Sequence, residues 1–212
     1  MSETRQKLAL VTESADAPRD ELRELSQAVI AGDARALRAF LTLLVPHLLR
    51  VSRRVLGMAH PFVEDVAHDA AYTVVGQLAE YRGEGTLLSY SRRVALLTAM
   101  NMRRRDQAQK RARLREGTDA EGVLTDEPDP EQSAANAALA PLLRQMLDTL
   151  PEPLAEAFGL NVMLGYTVQE IAAISSAPVE TVRSRLRLAK QRLRSRVLEH
   201  PALRDLVGPN HE

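Results

Sequence analysis

The chain has 212 residues, 45% of them apolar, which is enough for one large domain or two small ones with their own cores. It contains no cysteine, which excludes a disulfide framework and any zinc site built on thiolates. Basic and acidic residues number 28 each, so the net charge of zero gives no overall sign of a nucleic-acid partner.

The N-terminal segment, residues 1–20, lacks helical or strand periodicity, and we expect it to be disordered. Its longest apolar run, LALV, is too short for the core of a signal peptide. No other segment approaches the roughly 20 apolar residues of a membrane span. We therefore expect a cytoplasmic protein that makes no contact with a membrane.

Four helices are predicted in the next segment, residues 21–113. The first ends at Gly32, and Asp33 is suited to cap the second, which is long and strongly apolar. Pro46 lies inside this second helix, where we expect it to produce a kink or a local break because proline has no backbone N–H.

The third helix, FVEDVAHDAAYTVVGQLAEY, separates its apolar and acidic residues onto two faces. Phe62, Val66 and Ala70 are spaced to lie on the buried face. Four polar residues share the opposite face: Glu64, Asp65, His68 and Asp69. A short loop with two glycines follows, and the fourth helix is apolar in its first half and basic in its second, with only Asp106 between Arg103 and Arg115.

Residues 114–133 are rich in Gly, Pro, Asp and Glu without any period, which predicts a flexible acidic linker. Helical patterns resume over residues 134–199, and residues 200–212 form a short tail. No strand pattern of consequence is present. The sequence therefore predicts an all-α protein in which a four-helix N-terminal domain and a C-terminal domain are joined by the linker.

The C-terminal domain contains a helix-turn-helix pattern in YTVQEIAAISSAPVETVRSRLRLAKQRLR. Thr167 is suited to cap a short apolar helix, and Pro178 can open the helix that follows. The turn between them has Ser176 where glycine is often found. Small Ala172 lies where the two helices would approach each other closely.

The last helix divides into an apolar arc and a basic arc. Val182, Leu186, Ala189 and Leu193 have the spacing of a buried stripe. The opposite arc is polar and largely basic: Glu180, Arg183, Ser184, Arg187, Gln191 and Arg194. Guanidinium groups match guanine edges in the major groove, and flanking arginines suit phosphates, so this helix is predicted to bind nucleic acid.

These residues resemble the C-terminal domain of bacterial RNA polymerase sigma factors of the extracytoplasmic-function (ECF) group. The likeness is strongest in EIA and in PVETVRSRL. It extends to GDARALRAFLTLLVPHLLRVSRRVLG and VEDVAHDAAYTVVGQLAEYRGEG in the N-terminal domain. The chain differs from residues common in the family at His68, Val75, Tyr90 and Leu97. Aromatic side chains, on which separated bases could stack, are few. We therefore expect the chain to open promoter DNA only modestly and only at particular promoters.

The resemblance implies a non-enzymatic subunit that binds core RNA polymerase and promoter DNA and needs no cofactor or metal. The C-terminal domain would read the upstream (minus-35) element. Base-edge candidates there are Arg183, Ser184 and Arg187, and phosphate candidates are Thr181, Arg185 and Lys190.

The N-terminal domain would read the downstream (minus-10) element and bind the polymerase. The loop from Arg82 to Leu88, including Gly83, would form the pocket for a flipped base. Five arginines would hold the strand and its phosphates: Arg92, Arg93, Arg103, Arg104 and Arg105. Four residues would contact the polymerase: Glu64, Asp65, His68 and Asp69. An anti-sigma factor is a further candidate partner, and the free chain is expected to be a monomer.

Three other hypotheses are compatible with parts of the pattern. A dimeric helix-turn-helix repressor or activator would bind a palindromic site. A helical adaptor would use its basic faces on proteins, and its binding would lack the steep salt dependence of phosphate contacts. An enzyme is disfavoured, because Glu64 and His68 supply only part of the carboxylate and histidine set of a di-iron bundle.

Overall fold

The computed structural model describes residues 17–83, 85–115 and 134–199. Most of the segment predicted to be disordered, most of the predicted linker and the predicted tail lie outside the described residues. All regular structure within the described ranges is helical, which confirms the predicted fold class. The chain divides into two compact units, described separately below.

In the described part of the N-terminal unit, residues 17–83 and 85–115, there are four helices: α1 Ala17–Ile30, α2 Ala34–Leu56, α3 Val63–Gln77 and α4 Leu87–Arg115. A 3₁₀ turn at Leu78–Glu80 continues α3. Helix α2 packs against each of the other three, so it is the centre of the unit. Its buried residues include Phe40, Leu44, Leu48 and Val55, all with no exposed surface.

The junction of α1 and α2 has the predicted stop and cap. Gly32 has φ 86°, a left-handed conformation that glycine adopts without steric cost. The Asp33 carboxylate accepts hydrogen bonds from the N–H groups of Arg35 at 2.7 Å and Ala36 at 3.2 Å. A cap of this kind stabilises a helix by about 1 kcal/mol.

Helix α2 is continuous through Pro46, so of the predicted kink or local break the break is excluded. Proline deprives the Thr42 carbonyl of its helical donor. Thr42 and Pro46 are both exposed, and solvent can satisfy that carbonyl. The packing of α2 on three neighbours outweighs the lost hydrogen bond.

Helix α3 buries a stripe of small residues and valines against the rest of the unit: Val63, Val66, Ala67, Ala70, Ala71 and Val74. Phe62, predicted for this face, is instead 43% exposed and precedes the first residue of the helix. Val63 takes the buried place, because the helix begins one residue later than the apolar spacing suggested.

The C-terminal unit contains α5 Ala134–Thr149, α6 Glu152–Phe158, α7 Val168–Ile174 and α8 Val179–Glu199. The segment after α6, which lies within the region of predicted helical pattern, is a π turn at Gly159–Met163. The Leu164 N–H donates to the Gly159 carbonyl at 3.1 Å across this wider turn. Helices α6 and α7 both pack on α8. None of the helices in the described ranges has the length and apolarity required to span a bilayer.

Candidate nucleic-acid interfaces

Helix α7 begins with a capping box, in agreement with the cap predicted at Thr167. The Thr167 hydroxyl accepts from the Glu170 N–H at 3.3 Å. The Glu170 carboxylate accepts in return from the Thr167 N–H at 2.7 Å. Two backbone donors at the helix start are thereby satisfied, which fixes the entry into the helix-turn-helix.

The turn between α7 and α8 is closed by two backbone hydrogen bonds. The Ser176 N–H donates to the Ala173 carbonyl at 3.2 Å, and the Ala177 N–H donates to the Ala172 carbonyl at 3.0 Å. This is a Schellman motif, and Ser176 occupies its left-handed position with φ 49°. A side chain in this conformation costs on the order of 1 kcal/mol, which explains why glycine is usual there.

The turn is also tied to α6 by a buried acid. Glu156 is only 7% exposed, and its Oε1 accepts from the Ser175 hydroxyl at 3.1 Å. The contact connects the second turn of α6 to Ser175, the C-cap residue of α7, so the angle of the helix-turn-helix depends on α6 as well. Sequence patterns gave no signal for this contact, because Glu156 lies in an otherwise ordinary helical segment.

Helix α8 has the two arcs that the spacing predicted. Val182, Leu186, Ala189 and Leu193 are buried. The polar arc is exposed to solvent at every predicted position: Glu180, Arg183, Ser184, Arg187, Gln191 and Arg194. The buried stripe packs on the core, so the cationic face on the opposite side of α8 points to solvent. A helix face of this kind can enter a major groove.

The six predicted minus-35 residues fall into two classes of exposure. The base-edge candidates Arg183, Ser184 and Arg187 are exposed, whereas Thr181, Arg185 and Lys190 are half-buried. The half-buried residues lie at the flanks of the exposed arc, a position suited to phosphates. Their individual DNA contacts stay predictions.

One acid lies within this cationic arc. Glu180 accepts a hydrogen bond through Oε1 from Nη1 of Arg183, three residues later on the helix. Both side chains are largely exposed, at 78% for Glu180 and 56% for Arg183. The carboxylate and the guanidinium therefore form a joined pair at the N-terminal end of α8.

The predicted polymerase face of α3 is open to solvent. Glu64, Asp65, His68 and Asp69 are all exposed. Tyr72 lies one turn further along the same face and is 80% exposed. Sequence patterns did not assign it to this face, and its place on α3 adds a large aromatic side chain to the acidic residues. We call these five residues the acidic face of α3.

The basic half of α4 is attached to the end of α2 and to the loop after it. Arg103 donates from Nη1 to the Val55 carbonyl at 3.3 Å. The one acid of the basic run, Asp106, contacts Nε2 of His60 at 2.8 Å. His60 also accepts the Phe62 N–H at 3.3 Å. Arg93 and Arg104 are half-buried and Arg105 is exposed, so these predicted strand-binding residues differ in access.

Arg92 contacts His47, a histidine that no sequence pattern singled out. Its Nη2 lies 3.2 Å from Nδ1 of His47 on α2. Burial first, then the charges of Arg92 and Arg50, lower the pKa of His47 from 6.5 to about 4. His47 is thus neutral near pH 7 and accepts a hydrogen bond from Arg92. The Arg92 guanidinium, carried by α4, is therefore packed against His47 of α2. The role of Arg92 in binding a DNA strand stays a prediction.

The predicted pocket loop is shaped by two tyrosines. Tyr81 donates from its hydroxyl to the Gly85 carbonyl at 3.0 Å, which closes the loop. Its ring lies 5.2 Å from that of Tyr90, whose hydroxyl donates to Gln77. Burial raises the pKa of Tyr90. Arg82 and Gly83 are exposed at the loop surface, where a strand can reach them.

Comparisons with known proteins agree with this architecture. Residues 141–193 match the family described as sigma-70, region 4. The chain is 29% identical to the RNA polymerase sigma-H factor of Pseudomonas aeruginosa over 180 residues, which cover 80% of this chain and 90% of that protein. It is 30% identical to the ECF RNA polymerase sigma-E factor of Escherichia coli over 140 residues, 64% of this chain and 73% of that protein.

A solved structure, that of CnrH in complex with the cytosolic domain of CnrY, superposes with a TM-score of 0.51 and 19% identity. It covers 85% of this chain and 99% of that one, and it supports the fold. Within the described residues, no group of three or more histidines and carboxylates is placed to hold a metal ion. The relatives are named as sigma factors, which are regulatory proteins. The identity to the sigma-E factor, together with the two helical units, shows that the chain belongs to the ECF group of RNA polymerase sigma factors.

Proposed function

We propose that the chain is a sigma subunit that binds core RNA polymerase and directs initiation at promoters with two separate recognition elements. The observation that carries the proposal is the exposed cationic arc of α8 on a helix-turn-helix, in a different unit from the acidic face of α3. One unit offers a surface for DNA, and the other offers a surface of opposite charge for a protein.

The DNA surface of the C-terminal unit would read the upstream element. Arg183 and Arg187 are exposed, and each can donate two hydrogen bonds to a guanine edge. Thr181, Arg185 and Lys190 would set the register of α8 on the backbone. The capping box and the Schellman turn support this assignment, because their hydrogen bonds define the start of α7 and the turn that leads into α8.

The acidic face of α3 would bind a basic surface of the polymerase. Three carboxylates are exposed there together with Tyr72, and tyrosine is enriched at protein interfaces. Charge complementarity would speed the encounter and fix the register, while the tyrosine would contribute much of the affinity.

In the N-terminal unit, the downstream element would be met by the pocket loop and the exposed part of the basic helix. Arg82, Gly83 and Arg105 are exposed. Arg93, Arg103 and Arg104 would approach the strand from more buried positions, and Arg92 would do so only if it left His47. The free protein would act as a cytoplasmic monomer, and an anti-sigma factor would control it by covering these surfaces.

The proposal is tested by mixing the purified full-length chain with core polymerase. The expected result is a complex on a sizing column and specific initiation on a subset of genomic fragments. A chain that neither joins the polymerase nor directs any start would refute the proposal. A dimer that binds a palindromic site without polymerase would favour the helix-turn-helix repressor instead.

Two sets of variants separate the surfaces. Replacing Arg183 and Arg187 with Ala should abolish use of the upstream element and leave polymerase binding intact. Replacing Glu64, Asp65 and Asp69 with Lys should abolish polymerase binding. Helical content and thermal stability serve as controls, because all five side chains are exposed and contribute little to either core.

A further inference from the structure

The acid at the start of α8 is unusual in its surroundings. Glu180 is the sole acidic residue between Ile171 and Leu198, and seven basic residues follow it on α8. Its side chain is 78% exposed and lies on the arc that would face DNA. A carboxylate brought close to the phosphates is repelled, so its position on this arc requires an explanation.

Stability alone explains the position poorly. An acid in the first turn gains from the helix dipole about 0.3–1 kcal/mol, and an exposed pair with a basic residue adds about 0.2–0.5 kcal/mol. An acid at any other position in the first turn of α8 would gain the same stabilisation from the helix dipole. The ion pair accounts for the contact with Arg183 in the free chain. Neither effect accounts for a carboxylate on the arc that would face DNA, where the phosphates repel it.

The major-groove edge of a G·C pair offers two acceptors on guanine, N7 and O6, and one donor, the N4 amino group of cytosine. Arg183 carries donors that match the two acceptors, and Glu180 carries the acceptor that matches the donor. Oε1 and Nη1 are already hydrogen-bonded in the free chain, so the two heads lie side by side before DNA binds. The order of donors and acceptor on the protein is thus complementary to that on the base pair.

We propose that Glu180 is a base-reading residue that selects cytosine in the upstream element by accepting a hydrogen bond from its N4 amino group. Arg183 reads guanine on the same or the adjacent base pair. Adenine also has an amino group in the major groove, but its N7 acceptor lies beside it and repels a carboxylate. The inference rests on the proposed function and adds a base preference to it.

The experiment uses holoenzyme made from the full-length chain and core polymerase. Promoter fragments with a randomised upstream element and a fixed downstream element are transcribed, and the transcripts are sequenced. Wild type should favour cytosine at one position, and Glu180→Ala should reduce that preference by about fivefold to a hundredfold, the range of one good base contact. Glu180→Gln should admit adenine at that position, because an amide can pair with adenine.

Gln169→Ala is the matched control, since Gln169 is exposed on α7 and lies outside the DNA-facing arc of α8. It should leave every base preference unchanged. Unchanged preferences in Glu180→Ala, or a uniform rise in initiation from all sequences, would overturn the inference and leave the sigma function standing. Absence of any specific initiation by wild type would instead refute the proposed function.

Discussion

Replacing His47 with Gln should make the N-terminal unit less sensitive to acid. The pKa of His47 is about 4 in the folded chain, against an ordinary value of 6.5, because of burial and the adjacent Arg92 and Arg50. Between these two pH values the unfolded chain binds more protons than the folded one. Stability is therefore lost as pH falls from about 6.5 to about 4, and it is retained above that window.

The size of the effect follows from the pKa difference, which corresponds to at most about 3 kcal/mol. His47 is half-buried, and screening by solvent reduces this to about 1–2 kcal/mol. Urea unfolding at pH 7 and pH 4.5 should show that wild type loses this much more stability than His47→Gln. Glutamine keeps an acceptor for Arg92, so stability at pH 7 should change little.

Carboxylates also titrate in this range, but their contribution cancels in the difference between wild type and variant. His68→Gln is the matched control, because His68 is exposed on α3 and should leave the pH dependence unchanged. An NMR titration of the His47 ring gives the pKa directly. A measured value near 6.5, or equal acid sensitivity of wild type and His47→Gln, would refute the reasoning.

Three further predictions concern packing, backbone and binding. Ser52 is buried, and its hydroxyl has no hydrogen-bond partner among the described residues, so Ser52→Ala should raise the free energy of unfolding by about 1 kcal/mol. Ser91→Ala removes a 2.7 Å hydrogen bond to the Leu87 carbonyl and should not raise the free energy of unfolding. Equal effects of the two substitutions in urea unfolding would contradict the prediction for Ser52. Ser176→Gly should stabilise the C-terminal unit by about 0.5–1 kcal/mol and Ser176→Val should destabilise it in thermal melts, since only glycine adopts the left-handed conformation freely; the reverse order would argue against strain at the turn. Tyr72→Ala should weaken binding to core polymerase by about tenfold or more, with melting temperature unchanged, whereas Ile30→Ala should not; a loss confined to Ile30→Ala would place the interface elsewhere.

The sequence predicted those features that depend on periodicity and local capping. The apolar stripe of α8 and the cap at Thr167 follow from side-chain spacing and from a hydroxyl placed before a helix. The sequence also marks Ser176 as a departure from the glycine often found in such a turn, but its left-handed conformation was established only by the structure. These are local properties of a few neighbouring residues.

Contacts between distant residues could not be read in the same way. His47 and Arg92 meet because α2 and α4 pack together, and nothing near either residue in the chain indicates its partner. The same holds for His60 and Asp106, which lie on different elements. The π turn after α6 was missed because Gly159–Met163 continues an apolar helical spacing, and only its hydrogen bonds reveal the wider turn.

The division of α8 into two arcs has an evolutionary consequence. The side chains that fix the frame of the helix-turn-helix are Thr167, Glu170, Glu156 and the buried stripe of α8, and none of these lies on the exposed arc. Substitutions on the exposed arc can therefore accumulate with little effect on folding. Under the proposed DNA-reading role of this arc, a lineage of such proteins can acquire new promoter preferences by altering a few solvent-facing positions, while the scaffold that presents them remains the same.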